Sequence, residues 1–245
     1  MKTSVLVMTC CFLILSGCGE EPERQTPLND SLDIGGLEYG CGGSDSPTFA
    51  PQDIPNKETP SNEILEAIDQ LRETIDGSFL PDDGWIALAQ DADKATVLAP
   101  YNDRYASATF ENKNGVWEPV GWGECVPRLQ VGVGDKSVLR WVFSKGAYPP
   151  SPRATTLDLL VSEVECSSGR EIEGLIEAIT TYDEGRIGVI LTAPSLDGGE
   201  GVAYNCIGTA PTEYELELDE SVGDRVVVDL SVYPEVEPTP GTQLP

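Results

Sequence analysis

The sequence predicts a mainly β protein that carries one amphipathic helix near its N-terminus. After Gly84, short runs of β-branched and aromatic residues alternate with turn residues, which is typical of consecutive strands. Helical spacing of apolar residues occurs once, between residues 60 and 77. We therefore expect a helix on a small antiparallel meander, followed by a seven-stranded antiparallel sandwich.

The predicted helix opens the first folded region, residues 60–133. Thr59 is the expected N-cap, Pro60 suits the first helical position, and Gly77 is the expected stop. The apolar stripe consists of Ile64, Leu65, Ile68, Leu71 and Ile75. Such a stripe usually packs in a core, so we expect it to cover the sheet and not to form a partner groove.

Four strands are expected to follow the helix. They span residues 85–90, 95–101, 105–111 and 116–122. The dipeptide Asn114-Gly115 lies between the last two, and Asn-Gly is a strong signal for a tight hairpin turn. The order of short strands and turns predicts a meander.

A second strand series spans residues 134–233. The expected strands are 138–143, 157–164, 175–182, 187–191, 202–206, 214–218 and 226–230. Tyr204 stands two residues before Cys206, as in the tyrosine corner of immunoglobulin domains, but no Trp lies between Cys166 and Cys206. We therefore expect an immunoglobulin-like architecture in a domain that is not a member of the immunoglobulin family. The pattern around Cys166, residues 170–182 and the acidic strand 213–219 also resembles uncharacterised exported domains of high-GC Gram-positive bacteria, a resemblance that implies no activity.

The N-terminus has the form of an export signal. Lys2 precedes an uninterrupted apolar stretch, residues 5–15, which is too short to span a bilayer. The stretch ends in Leu15-Ser16-Gly17-Cys18, which resembles a bacterial lipobox. The resemblance implies that residues 1–17 are removed and that Cys18 carries diacylglycerol. It places the protein at the extracytoplasmic side of the cell membrane, held by its lipid. An ordinary signal peptide is the alternative.

Two segments are expected to lie outside the folded regions. Residues 18–59 are rich in Pro, Gly, Ser and acids, and are typical of a tether. Residues 234–245 contain four prolines and are expected to form a frayed tail.

Four cysteines remain in the exported chain after Cys18, and an even number in an oxidising compartment indicates two disulfides. Four cysteines permit three pairings. We favour Cys41 with Cys125 and Cys166 with Cys206, because each pair then stays within one part of the chain. A four-cysteine zinc site is the alternative, but the spacings of 84, 41 and 40 residues lack the close pairs that such sites use.

Composition excludes several classes of function. The chain has 42 acidic and 15 basic side chains, no histidine, and a net charge of −27. A nucleic-acid partner is excluded because binding phosphates requires clustered Lys and Arg. Without histidine, the usual hydrolase triads and imidazole metal sites lack their central residue. The acids are spread along the chain, which indicates a solvated surface; a docking surface for a basic partner is the alternative.

The candidate binding residues are aromatic, and Trp117 and Tyr105 are the two that we single out in the first meander. Strand alternation places Val116, Val120 and Trp122 on one face and Trp117 on the other. An outward Trp117 would stack on a sugar or anchor a protein contact. We favour the alternative, in which Trp117 packs beneath the helix and Trp122 covers a loop.

Metal and carboxylate chemistry are weaker alternatives. Asp82-Asp83-Gly84 and Asp91-Ala92-Asp93 offer oxygen ligands for calcium, but Asp is also common in turns because it accepts hydrogen bonds from its own backbone. We expect no cofactor other than the lipid. Glu163, Glu165 and Glu173 are candidates for a glycan-active acid pair but are more typical of solvated strand residues.

These observations favour a non-catalytic interaction or accessory module at the cell envelope. Its partners would be the membrane, through the lipid, and an envelope protein or wall glycan. The alternatives are a glycan- or calcium-binding surface module and a carboxylate-dependent enzyme acting on glycans.

Overall fold

The structure is a computed structural model that describes residues 36–42, 46–75, 80–130, 136–164, 169–196 and 210–240. Strand accounts for 47% of these residues and helix for 11%, which confirms the prediction of a mainly β protein. Within these ranges, no helix is both long and apolar enough to cross a bilayer. Cys18, Cys166 and Cys206 lie outside the described residues.

One helix and an antiparallel four-stranded sheet form the first part of the fold. The elements are α1 (Asn62–Thr74), β3 (Ile86–Gln90), β4 (Lys94–Tyr101), β5 (Arg104–Lys113) and β6 (Val116–Cys125), and the sheet order is β3-β4-β5-β6. The β5–β6 turn contains Asn114 and Gly115, both at positive φ. Gly115 N donates to Asn112 Oδ1 at 2.8 Å, so the turn closes where the Asn-Gly pair predicts.

The helix begins two residues later than the sequence predicts. Ser61, not Thr59, is the N-cap, and its carbonyl accepts from the backbone N–H of Leu65 at 3.0 Å. Pro60 therefore lies in the extended segment before the helix, where its fixed φ is also compatible. The expected stop at Gly77 falls outside the described residues; α1 itself ends at Thr74.

The apolar stripe of α1 packs on the sheet, as expected. Ile64, Ile68 and Leu71 are buried, while Leu65 and Ile75 are partly buried against the same core. The sheet face below them consists largely of small side chains: Ala95, Val97, Ala99, Ala106, Ala108 and Phe110. The alanines let the helix approach the strands closely, so that the larger helix side chains fill the space between the two layers.

Part of the expected tether belongs to the fold. The elements here are β1 (Tyr39–Gly40), β2 (Thr48–Phe49), a 3-10 helix (Pro51–Asn56) and β7 (Arg128–Leu129), and the sheet order is β2-β1-β7. Leu37, Tyr39 and Phe49 are buried. A continuous tether to residue 59 therefore does not describe residues 37–42 and 46–56, which we call the N-terminal ribbon. The Pro- and Gly-rich composition does not predict that the ribbon folds, because the ribbon is held by backbone pairing and by a crosslink.

That crosslink is the disulfide between Cys41 and Cys125, as the sequence predicts, with 5.6 Å between the Cα atoms. It joins the ribbon to the last residue of β6. It closes a sequence separation of 84 residues.

The second part of the fold is a six-stranded sheet. Its strands are β8 (Lys136–Phe143), β9 (Thr156–Glu163), β10 (Glu177–Tyr182), β11 (Arg186–Pro194), β12 (Thr212–Glu217) and β13 (Val226–Asp229). The order is β10-β11-β8-β9-β12, and β13 pairs with the start of β11. The β11–β13 pair is parallel, which differs from the expected all-antiparallel sandwich. The long connection between β11 and β13 permits this return. The expected strand 202–206 lies outside the described residues.

The two predicted regions, 60–133 and 134–233, share a hydrophobic core. This shared core takes Leu88, Leu98 and Tyr105 from the meander and Ile190, Val228 and Leu230 from the second sheet, with Leu37, Tyr39 and Phe49 from the ribbon. Hydrophobic packing therefore continues across the domain boundary that the sequence predicts near residue 133.

Part of the expected C-terminal tail also contacts the body. Asp229 N donates to Val236 O at 2.8 Å, and Tyr148 Oη donates to Glu237 Oε1 at 2.7 Å. These contacts extend the fold to Glu237, although the proline content suggests a frayed end. Prolines lack the N–H donor but still accept hydrogen bonds, and their neighbours form the contacts here.

A substitution at Gly188 can test how closely the side chains pack around β11. A Cβ added at Gly188 would overlap the Leu230 side chain and lie 2.6 Å from Thr181 Oγ1. We expect Gly188→Ala to lower the free energy of unfolding by about 1–3 kcal/mol through overpacking. Gly185→Ala is the matched control, because a Cβ there meets nothing within 4 Å. Urea unfolding of both variants measures the difference, and equal midpoints would contradict the packing described here.

The Cys41–Cys125 disulfide is expected to stabilise the fold by restricting the unfolded chain. Replacing both cysteines with alanine should lower the free energy of unfolding by about 2–4 kcal/mol. It should also raise the denaturant m-value, because the unfolded chain becomes more expanded. Urea titration gives both quantities, and an unchanged midpoint would show that the ribbon is held by packing alone.

Candidate functional site

Of the two aromatic residues that the sequence analysis singles out, Tyr105 is buried and Trp117 is half-buried. Tyr105 is 8% exposed and stacks on Tyr233 in the shared core, with ring centroids 6.1 Å apart. Burial raises the pKa of the Tyr105 phenol to about 12. Its assignment as a surface binding residue is therefore wrong. Trp117 is half-buried against the helix–meander core, as in the alternative that we favour.

Trp122 is the more exposed of the two tryptophans in β6, with 45% of its surface exposed. A β-bulge explains why simple alternation fails. Thr109 pairs with Gly121 and Phe110 pairs with Pro119, so Val120 is an extra residue in β6.

The bulge shifts the period of the strand by one residue. Trp117 lies opposite Asn112 and Trp122 opposite Ala108, and positions 108 and 112 share one face of β5. Both tryptophans are therefore on the helix side of the sheet. Val116 pairs with Lys113 and belongs to the other side, so the expected single face with Val116, Val120 and Trp122 does not exist.

The exposed apolar side chains nevertheless concentrate on this strand. Six large hydrophobic residues are exposed in the described part of the chain, and three of them, Val116, Val120 and Trp122, belong to β6. We call these three residues together with the unpaired side of the strand the β6 edge. Val120 and Trp122 lie two residues apart near the bulge, whereas Val116 lies at the hairpin end on the other side of the sheet. Exposed apolar side chains close together are a feature of interaction sites.

Charged pairs flank the β6 edge. Lys113 Nζ lies 2.9 Å from Glu118 Oε2 near the hairpin turn, and Arg104 Nη1 lies 3.2 Å from Glu124 Oε2 near the other end. Glu118 raises the pKa of the Lys113 ammonium by hydrogen bonding. Val120 and Trp122 thus lie between Glu118 and Glu124, two carboxylates that each pair with a basic residue of β5 and stay more than two-fifths exposed at their side chains. The overall charge of the chain is strongly negative.

The opposite edge of the same sheet is covered by the chain itself. Ala87 N of β3 donates to Glu58 O at 2.9 Å, and Ser61 N donates to Gln90 Oε1 at 3.2 Å. A groove of about 670 Å³ runs between residues 56–61 and 87–91. Polar side chains and backbone line much of this groove, and it lacks an exposed aromatic anchor, so it is a weaker candidate than the β6 edge.

The candidate calcium turns use their carboxylates within the fold. Asp91 Oδ1 accepts from Asp93 N and Lys94 N, each at 2.8 Å, and these bonds lower the pKa of Asp91. Asp82 forms an ion pair with Arg72. In the described part of the chain, no group of three or more potential ligand side chains is placed to hold a metal ion.

The candidate acids for glycan chemistry lie in different surroundings. Glu163 forms an ion pair with Arg170, whose Nη1 donates to Pro194 O at 2.8 Å. Glu173 is exposed on a turn, and Glu165 lies outside the described residues. The Glu163 carboxylate is therefore held by Arg170, whereas Glu173 faces solvent.

Sequence reasoning missed one buried carboxyl, Asp229 at the end of β13, which is 5% exposed. Its Oδ1 accepts from Ser231 N at 2.8 Å. Burial raises the pKa of Asp229 to about 6, although the Ser231 bonds and the nearby Arg128 act in the opposite direction. Arg128 is itself close to Arg140 of β8. Asp229 thus lies where the ribbon, the second sheet and the C-terminal segment meet, in a structural position and not in a cleft.

Comparison with known protein families, with curated protein sequences and with solved structures found no match to this chain. Its geometry therefore carries the functional inference, and the β6 edge is the strongest candidate site in the described residues.

Asp229 makes stability depend on pH. The unfolded carboxyl titrates near 3.8, whereas the folded one keeps its proton up to about pH 6. Between these values the folded state binds more protons, so stability falls as pH rises. The complete loss in the free energy of unfolding is about 3 kcal/mol. We expect Asp229→Asn to remove this component.

Urea unfolding of both proteins at intervals between pH 3.5 and about 7 isolates the component. The exposed Asp158 supplies a control, Asp158→Asn, which should follow the wild-type profile. A difference between the wild type and Asp229→Asn that stays constant with pH would contradict the assignment.

Proposed function

We propose that this chain is a lipid-anchored exported protein that acts as a non-catalytic interaction module at the cell envelope. Leu15-Ser16-Gly17-Cys18 supports the anchor, because it resembles a lipobox in composition and position. Two acyl chains on Cys18 give durable membrane attachment where a single chain gives only reversible binding. The folded body would then be held at the extracytoplasmic side of the cell membrane.

The observation that carries the interaction role is the exposure of Val116, Val120 and Trp122 on one strand. An exposed indole, here with Val120 two residues away on the same strand, is costly to leave in water and is a common anchor of protein interfaces. The helix and the other strands of the sheet hold the anchor in place, so that binding requires little ordering of the protein.

The proposed partner is an envelope protein. Wall glycan is the second candidate, because an indole such as that of Trp122, at 45% exposure, also stacks on sugar rings. The net charge of −27 opposes binding to acidic wall polymers and favours a neutral or basic partner.

Capture from solubilised envelope of the native host tests the role. The full chain in detergent is immobilised as wild type, Trp122→Ala and Val226→Ala. Val226 is the matched control, because it has the same 45% exposure on another strand. We expect one identified protein to be retained by the wild type and by Val226→Ala and lost with Trp122→Ala.

The stability of Trp122→Ala and the identity of the captured material decide how the experiment is interpreted. Trp122→Ala should unfold within about 1 kcal/mol of the wild type, because an exposed side chain contributes little to folding. Retention of the same proteins by all three forms would refute the β6 edge as the binding site. Retention of glycan alone would replace the protein partner with a wall polysaccharide.

A further inference from the structure

We propose that the β6 edge binds its partner by strand addition, and that the added segment is an extended, basic peptide with large side chains at alternate positions. This inference rests on the proposed interaction role and names the chemistry of the partner. Four features of β6 carry it: an unpaired side, an interruption at its centre, two open glycines and the charge of the chain.

The unpaired side provides backbone groups. β6 pairs with β5 along its length, and no other strand in the described part of the chain pairs with β6. In an antiparallel pair, alternate residues of the outer strand direct their N–H and C=O away from the inner one. These groups form the main-chain hydrogen bonds when a peptide adds to a sheet edge.

The interruption limits which part of β6 can accept a strand. Pro119 lacks a donor, and the bulge at Val120 twists the strand at the same point. Both features discourage pairing along the whole edge. Residues 121–124 follow the bulge in regular register with β5, so the geometry assigns the added segment to this half.

Two glycines in this half define the shape of the site. Gly121 and Gly123 lie opposite Thr109 and Ser107, on the sheet face away from α1. A Cβ at either glycine would meet nothing within 4 Å. The outer strand therefore has no side chains on this face here, and the half-buried hydroxyl residues of β5 form a low platform beside it.

The platform predicts large partner side chains. Residues of an added strand that face Gly121 and Gly123 can lean across the glycines and contact Ser107 and Thr109. Large side chains, aromatic ones above all, fill the space that an edge glycine leaves on a sheet. On the other face, Trp122 offers an apolar contact to the partner residue between them.

Charge determines which extended segment fits. A second copy of this chain also carries a net charge of −27, and repulsion between two such chains disfavours self-association. The carboxylates along β6, Glu118 and Glu124, are more than two-fifths exposed at their side chains and remain available to cations beside their existing partners. Lys or Arg at the ends of the segment therefore complements this surface.

The test uses two synthetic nonapeptides of identical composition. In the alternating peptide, Phe and Thr occupy alternate positions between terminal lysines; in the blocked peptide, the Phe residues are adjacent. Calorimetry with the full chain in detergent should give saturable binding of the alternating peptide, and affinity at least about ten-fold weaker for the blocked one. Equal affinity would overturn strand addition, because it would show that composition alone determines binding.

A glycine variant tests the platform without unfolding the protein. Neither Gly121 nor Gly123 has a positive φ, and each has open space, so Gly121→Val with Gly123→Val should fold at least as well as the wild type. The valines occupy the platform edge and should weaken the alternating peptide by at least about ten-fold. Wild-type affinity in this variant would overturn the inference.

Amide hydrogen exchange locates the added strand. The alternating peptide should slow exchange in residues 121–124 and leave β3 unchanged. Protection elsewhere would overturn the site. If neither peptide binds but the envelope partner still depends on Trp122, strand addition fails and the proposed interaction role remains. If no partner depends on Trp122, the role itself fails.

Discussion

The arrangement of the whole molecule depends on the shared core, where four aromatic rings meet. Tyr233 lies between the rings of Tyr39, Phe49 and Tyr105, with centroid distances of 5.7 to 6.1 Å. These rings come from the ribbon, the meander and the segment after β13, so three distant parts of the chain depend on one another's burial. Tyr39 Oη also donates to Leu230 O at 2.9 Å, which satisfies the phenol inside the core.

This dependence also connects the β6 edge to the N-terminal ribbon. Cys125 ends β6 and is joined to Cys41 of the ribbon, whose chain leads back towards Cys18. A strand of this length spans about 30 Å, so the hairpin at Asn114 lies about that far from the crosslink. If Cys18 is lipidated as proposed, the ribbon end of β6 is the end connected to the membrane.

The helix-facing side of the meander shows which features the local sequence pattern predicts and which it does not. The spacing of Ile64, Ile68 and Leu71 predicts their burial, and Asn114-Gly115 predicts the hairpin, because each depends on neighbours in sequence. The position of Trp122 does not follow from the same reasoning. One extra residue at the bulge reverses the face of every later side chain in β6, and bulges carry no firm sequence signal.

The sequence by itself determined the mainly β class and the buried helix face, since composition and period constrain them. It favoured the pairing of Cys41 with Cys125 among three possibilities, and the structure shows that pair. Only the tertiary structure decided that the ribbon folds, that β13 runs parallel to β11, and that Asp229 is buried. These features arise from contacts between residues far apart in the chain. Local propensity contains no information about such contacts, and burial changes even the pKa of a carboxyl once they form.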